Sequence, residues 1–162
     1  MIIRCNLSSQ SLRNAADILQ KYADSLPKRA ETLVRNLGEL GLDSAINGLG
    51  HIDTGDTLNS IQFNQSGNSG TVTAGGAAVW IEFGTGVLAN ASSKDHPKRS
   101  EVGAVNWGEY GHGLGKGRWW FINKDGEKRW TDGITMNPFM YNASQDMRRE
   151  IERMAKEAFR FD

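Results

Sequence analysis

Ala77-Ala78-Val79-Trp80-Ile81-Glu82-Phe83-Gly84-Thr85-Gly86 is an apolar run that carries one carboxylate and stops at Gly-Thr-Gly. Val79, Ile81 and Phe83 alternate with Trp80 and Glu82, the pattern expected of a half-buried strand. Gly84 and Gly86 then allow a sharp turn with positive φ, or a close backbone approach. Glu82 is an odd residue in such a run. It is expected to accept hydrogen bonds from the turn backbone or to pair with a basic residue.

On the N-terminal side, Leu12, Ala15, Ala16, Leu19, Tyr22, Ala23 and Leu26 recur at helical spacing, with Ser8 or Ser9 as N-cap. Pro27 either kinks this helix or starts a second one. Ala30, Leu33, Val34, Leu37 and Leu40 continue the pattern, weakened by Gly38 and Gly41, and it ends by Gly48 to Gly50. Asp53 to Asp56 reads as a turn. Leu58 to Gln65 and Gly70 to Ala74 read as two strands around Ser66-Gly67-Asn68-Ser69, and 77–83 would join or lead into their sheet.

On the C-terminal side, residues 87–117 form an irregular, glycine-rich loop; at about 30 residues it is unusual in a compact domain. Arg118 to Asn123 and Glu127 to Thr131 flank Lys124-Asp125-Gly126 as a second hairpin. Asn137 as N-cap and Pro138 at the first helical position open a last helix, with Met140, Ala143, Met147, Ile151, Met154 and Ala158 as its apolar stripe. The order predicts one α+β domain over 1–162: helical 1–50, a sheet region 51–86, the loop 87–117, a hairpin region 118–136 and a C-terminal amphipathic helix 137–162. A central antiparallel sheet built from the hairpins is expected.

Composition narrows the function. The 162 residues carry 19 basic and 19 acidic side chains, so no whole-protein field steers nucleic acid or a membrane surface. Cys5 is the only cysteine, which excludes an intrachain disulfide and a Cys-based zinc site. No stretch approaches the ~18 apolar residues of a membrane span. A soluble protein made in the cytoplasm is expected.

Candidate chemistry is sparse. Asp53-Thr54-Gly55 has the letters of an aspartic-protease triplet, but His51-Ile52 precede it, Asp56 follows it, and no second triplet supplies the other carboxylate unless a homodimer does. His51, His96 and His112 share no metal-ligand spacing, and loop histidines explain them better than a zinc site with Asp95 and Glu109. Gly111 to Gly117 resembles a phosphate loop only in its glycines, because Arg118-Trp119-Trp120 follows where Ser/Thr and a helix should. Arg118, Trp119, Trp120, Lys124, Lys128, Arg129 and Trp130 could stack on single-stranded nucleic acid. Cross-strand pairing or an aromatic interface anchor explains them as well, and Asp125 and Glu127 dilute their charge. No cofactor, no metal and no catalytic residue is expected, and an enzyme is not the favoured class.

Three ordered segments resemble one family, the small tail-component proteins of long-tailed bacteriophages found at the head–tail junction. Asp53-Thr54-Gly55-Asp56-Thr57-Leu58-Asn59-Ser60-Ile61 is similar to that family's "TGxLxxSI", and Ala77 to Gly86 is similar to its "YAxYVEFGTG". Asn137-Pro138-Phe139-Met140-Tyr141-Asn142-Ala143 is similar to "xPFLxPA". The chain departs from these patterns at Ala77-Ala78 and Asn142, and 88–134 matches nothing in them.

The resemblance implies a virion structural protein (minor tail, tail-completion or neck protein) that acts by assembly, with six copies in a ring. Its partners would be connector, neck or tail-tube proteins, with at most incidental DNA contact. The motif residues Glu82, Phe83, Gly84, Thr85, Gly86, Pro138 and Phe139 are then structural. Trp119, Trp120 and Trp130, with Arg118 and Trp107, are the expected contact residues. A nucleic-acid-contacting module and, behind it, an aspartic-type hydrolase around Asp53 are the alternatives.

Overall fold

The computed structural model describes residues 8–50, 55–86, 88, 96 and 118–161. They form α1 (Ser9–Leu49), α2 (Asp56–Asn59), β1 (Gln62–Ser66), β2 (Ser69–Thr73), α3 (Ala78–Phe83), β3 (Trp119–Ile122), β4 (Lys128–Thr131), β5 (Gly133–Ile134) and α4 (Phe139–Ala158). The class is α+β, and among the described residues the antiparallel pairs β1–β2 and β3–β4 are separate two-stranded sheets rather than one central sheet.

α1 is a single helix of 41 residues, about 60 Å long. Ser8 caps it, accepting from Ser11 N at 3.3 Å. Pro27 neither ends it nor starts another. Proline removes the bond to the carbonyl of Ala23, and because both residues face solvent that carbonyl is not buried unpaired. Gly38 and Gly41 also have a use that helix propensity does not reveal. A Cβ on Gly38 would overlap the Phe63 ring of β1, and one on Gly41 would lie 2.6 Å from the Met147 sulfur of α4. These glycines let the hairpin and α4 approach the α1 backbone.

β1 and β2 pair with Gln62 opposite Thr73 and Ser66 opposite Ser69, so Gly67-Asn68 is the turn, with Gly67 at φ 54°. The expected strand from Leu58 begins later, because Asp56–Asn59 forms a helical turn with Thr57 buried. Lys124-Asp125-Gly126 lies in the turn of the β3–β4 hairpin as expected. Asn123 holds it together, its Oδ1 accepting from Asp125 N at 3.0 Å and Glu127 N at 2.8 Å.

α4 runs antiparallel along α1. Phe139 sits beside Gly48, and Ser44 Oγ donates to Asp146 at 2.5 Å. At the far end Tyr22 Oη donates to the Phe159 carbonyl at 2.8 Å. Ala45, Leu49, Ile61, Ala78, Ile81, Phe139 and Ala143 form the core cluster. Of the expected α4 stripe, Ala143 is buried and Met147 packs on α1, whereas Ile151 faces solvent.

Candidate functional site: the Glu82 knot

Residues 78–83 are a short helix, not the strand that their alternation suggested. Ala77 O accepts from Trp80 N at 3.0 Å and from Ile81 N at 3.1 Å. The face at i, i+3 and i+4 (Ala78, Ile81, Glu82) is buried, while Val79 is exposed. Five alternating residues fit either period, and Ala77-Ala78 favours the helix. Gly84 then ends it with φ 73°, as a positive-φ C-cap does.

Turning 78–83 into a helix aims Glu82 at the start of α4. Its Oε2 accepts from Met140 N at 2.9 Å, and its Oε1 accepts from Tyr141 N at 3.0 Å. His96 Nε2 donates to Oε1 at 3.0 Å, with both side chains buried. The imidazole ring lies 4.2 Å from the Phe83 ring and 5.6 Å from that of Tyr141.

Glu82 is thus the N-terminal cap of α4, supplied from another element. The first N–H groups of a helix have no partner within it, and a carboxylate there also meets the positive end of the macrodipole. Pro138, at the N-cap position, has no side-chain donor or acceptor to offer. The helix starts one residue later than the Asn-Pro pair suggested, because Asn137 is used elsewhere: its Nδ2 donates to the Gly48 carbonyl at 3.0 Å and to that of Leu49 at 3.4 Å, closing the end of α1. The other end of α4 is capped by α1, where Arg29 Nη1 donates to the carbonyls of Ala158 at 3.0 Å and Arg160 at 2.7 Å. Each end of α4 therefore carries the sign of charge that complements its dipole.

The Gly-Thr-Gly stretch is built into the same knot. Thr85 and Gly86 bridge Ile134 and Gly133 in antiparallel fashion, and Thr85 Oγ1 accepts from Ile134 N at 3.2 Å. Gly133 has φ 99°, and any Cβ there would overlap the Thr85 carbonyl. Only glycine fits this crossing of two backbones.

Sequence reasoning missed His96 and Arg29. His96 lies 14 residues beyond Glu82 with no periodicity to link them. Arg29 is one polar position among many on a long helix, and its carbonyl partner on Ala158 lies 129 residues away.

Chemically, both oxygens of Glu82 are taken up by two amides and one imidazole. The described cavities lie elsewhere, one of about 340 Å³ between α1 and the first hairpin near Val34, Phe63 and Met147. Among the described residues no cluster of three His, Cys, Asp or Glu side chains could hold a metal. Asp53, Cys5, His51, His112, Trp107 and the glycines of 111–117 lie outside the described residues, as does the 87–117 loop apart from Leu88 and His96.

The aromatic hairpin stands apart from this knot. Its register pairs Trp120 with Trp130, and Trp119 with Thr131; the side chain of Trp119 lies outside the described residues. Trp130 is 56% exposed, and Phe121 and Ile122 are exposed as well. Much of the hairpin's positive charge is already engaged. Arg118 pairs with Asp132 at 2.7 Å and Arg129 with Glu127 at 2.6 Å, while Lys128 Nζ lies 4.4 Å from the Trp120 ring centre.

No family model, no curated protein and no solved structure matches the chain. Among the described residues no helix is long and apolar enough to cross a membrane.

Proposed function

We propose that the chain is a non-enzymatic structural protein of a long-tailed bacteriophage particle, placed at the head–tail junction or tail end. It acts by assembling into a ring with neighbouring connector, neck or tail proteins. The observation that supports this reading is the convergence of the three sequence landmarks. Ile61 from the first, Ile81 and Glu82 from the second and Phe139 to Tyr141 from the third meet in one buried knot. Segments far apart in sequence are thus parts of a single structural device, as motifs retained for a shared fold would be. A carboxylate committed to helix capping also suits a protein that works by assembly.

Contact with neighbouring subunits is assigned to the β3–β4 hairpin, whose Trp130, Phe121 and Ile122 face solvent. Aromatic anchors of this kind carry a large share of interface energy, ~2 kcal/mol or more each. Replacing Trp120 and Trp130 together by Ala is expected to leave the isolated protein folded, with unchanged far-UV circular dichroism. In a complementation assay the same variant fails to join heads to tails. Normal joining by the folded double variant would overturn the assignment.

A further inference from the structure

α1 outruns its partner helix. α4 closes on Tyr22 through the Phe159 carbonyl and the Phe161 ring, 4.4 Å away, so Ser9 to Lys21 extends past it by about 20 Å. Along and beside this extension Leu12, Ala16, Leu19, Ala23 and Leu26 are all exposed, Leu12 at 47% and Leu19 at 53%. They follow one another at spacings of four, three, four and three residues. That is a heptad with leucine at one core position and alanine at the other, the 3.5-residue period by which two helices wind on each other. The side of α1 turned to the end of α4 is a different one, with Tyr22, Ser25 and Arg29.

We infer that this seam pairs two copies of the chain, antiparallel, through the N-terminal half of α1. The seam is self-complementary, which points to a second copy as its partner. Setting a large residue against a small one in each layer lets two helices interdigitate closely. With Leu19 of one copy against Ala16 of the other, Leu12 meets Ala23, so these layers each hold one leucine and one alanine, and Leu26 meets Ser9 at the helix end. A parallel pair in register would instead set leucine on leucine and leave the alanine layers empty. The antiparallel register also brings Arg13 alongside Asp24 of the second copy, twice by symmetry. Neither residue forms an ion pair among the described residues. Such a twofold contact closes on two copies and does not rest on the ring reading.

Sedimentation equilibrium of the full chain from about 1 to about 100 µM tests the pairing. The expected mass is that of two chains, falling to one chain in Leu19→Glu with helical circular dichroism unchanged. Ala16→Leu separates interleaved packing from a merely apolar patch. Overfilling the layer raises the dissociation constant about tenfold, whereas a patch would bind more tightly. A wild-type monomer at the highest concentration, which would leave the seam to another protein's helix, overturns the inference. So does a dimer indifferent to Leu19→Glu, or tighter association in Ala16→Leu.

Discussion

Replacing Glu82 with Ala destabilises the fold by about 3 to 5 kcal/mol, among the largest effects any single side chain here can produce. The carboxylate is buried and accepts from Met140 N, Tyr141 N and His96 Nε2. Alanine leaves two part-buried helix amides and a buried imidazole N–H without their acceptor, and a buried donor left unpaired costs about 1 to 3 kcal/mol. Glu82→Gln keeps the shape but turns an –NH₂ toward a donor, so it recovers only part of the loss. His96→Ala removes one of three partners and is milder than either. Urea unfolding of the three variants checks the order Ala, then Gln, then the His96 variant, read from midpoints at constant slope. A Glu82→Ala protein within about 1 kcal/mol of wild type would mean that the cap is dispensable.

Phe139→Ala is the second large effect, expected to cost about 3 to 5 kcal/mol. Phe139 is fully buried, at 0% exposure, in the cluster that joins the end of α1, α3 and the start of α4. Truncation removes the ring's burial and leaves a cavity that a rigid helix crossing cannot fill. Phe139→Leu is expected to lose less, because it preserves more of the volume. The residue opens the helix whose amides Glu82 caps, so the two losses are coupled and the double variant is less than additive. Native domains hold about 5 to 15 kcal/mol in all, so either change removes a large fraction of the stability. Thermal unfolding followed by circular dichroism measures this, and a Phe139→Ala melting curve close to wild type would contradict the assigned core.

The sequence showed most where local chemistry decides structure. Ser8 as N-cap and the Gly67-Asn68 and Asp125-Gly126 turns act over a few residues, and each is where it was expected; the period of α1 does give a helix, but Leu12, Ala16, Leu19, Ala23 and Leu26 of its stripe face solvent. Where two periods fit equally, tertiary burial decided. Val79 to Phe83 alternates as a strand would, yet the need to bury Ala78, Ile81 and Glu82 on one side makes it a helix. Pro27 was expected to kink the helix or start a second one, and Gly38 and Gly41 to weaken it. The first sits where an unpaired carbonyl faces solvent, and the glycines provide the space for Phe63 and Met147.

The structural role of Glu82 was partly legible, since an isolated carboxylate in an apolar run needs donors. Its partners were not. Met140 and Tyr141 lie 58 and 59 residues away, and nothing in a linear pattern links a carboxylate to the amides of a distant helix. Arg29, at the opposite end of α4, was hidden for the same reason.

The most direct test of the functional reading is where the protein sits in the particle. Cryo-electron microscopy of wild-type particles, with a tag on the chain detected by a bound antibody fragment, should place label in a ring at the head–tail junction or tail end. Particles lacking the protein should accumulate as separate heads and tails. Label absent from purified particles, or complete infectious particles formed without the chain, would contradict the account.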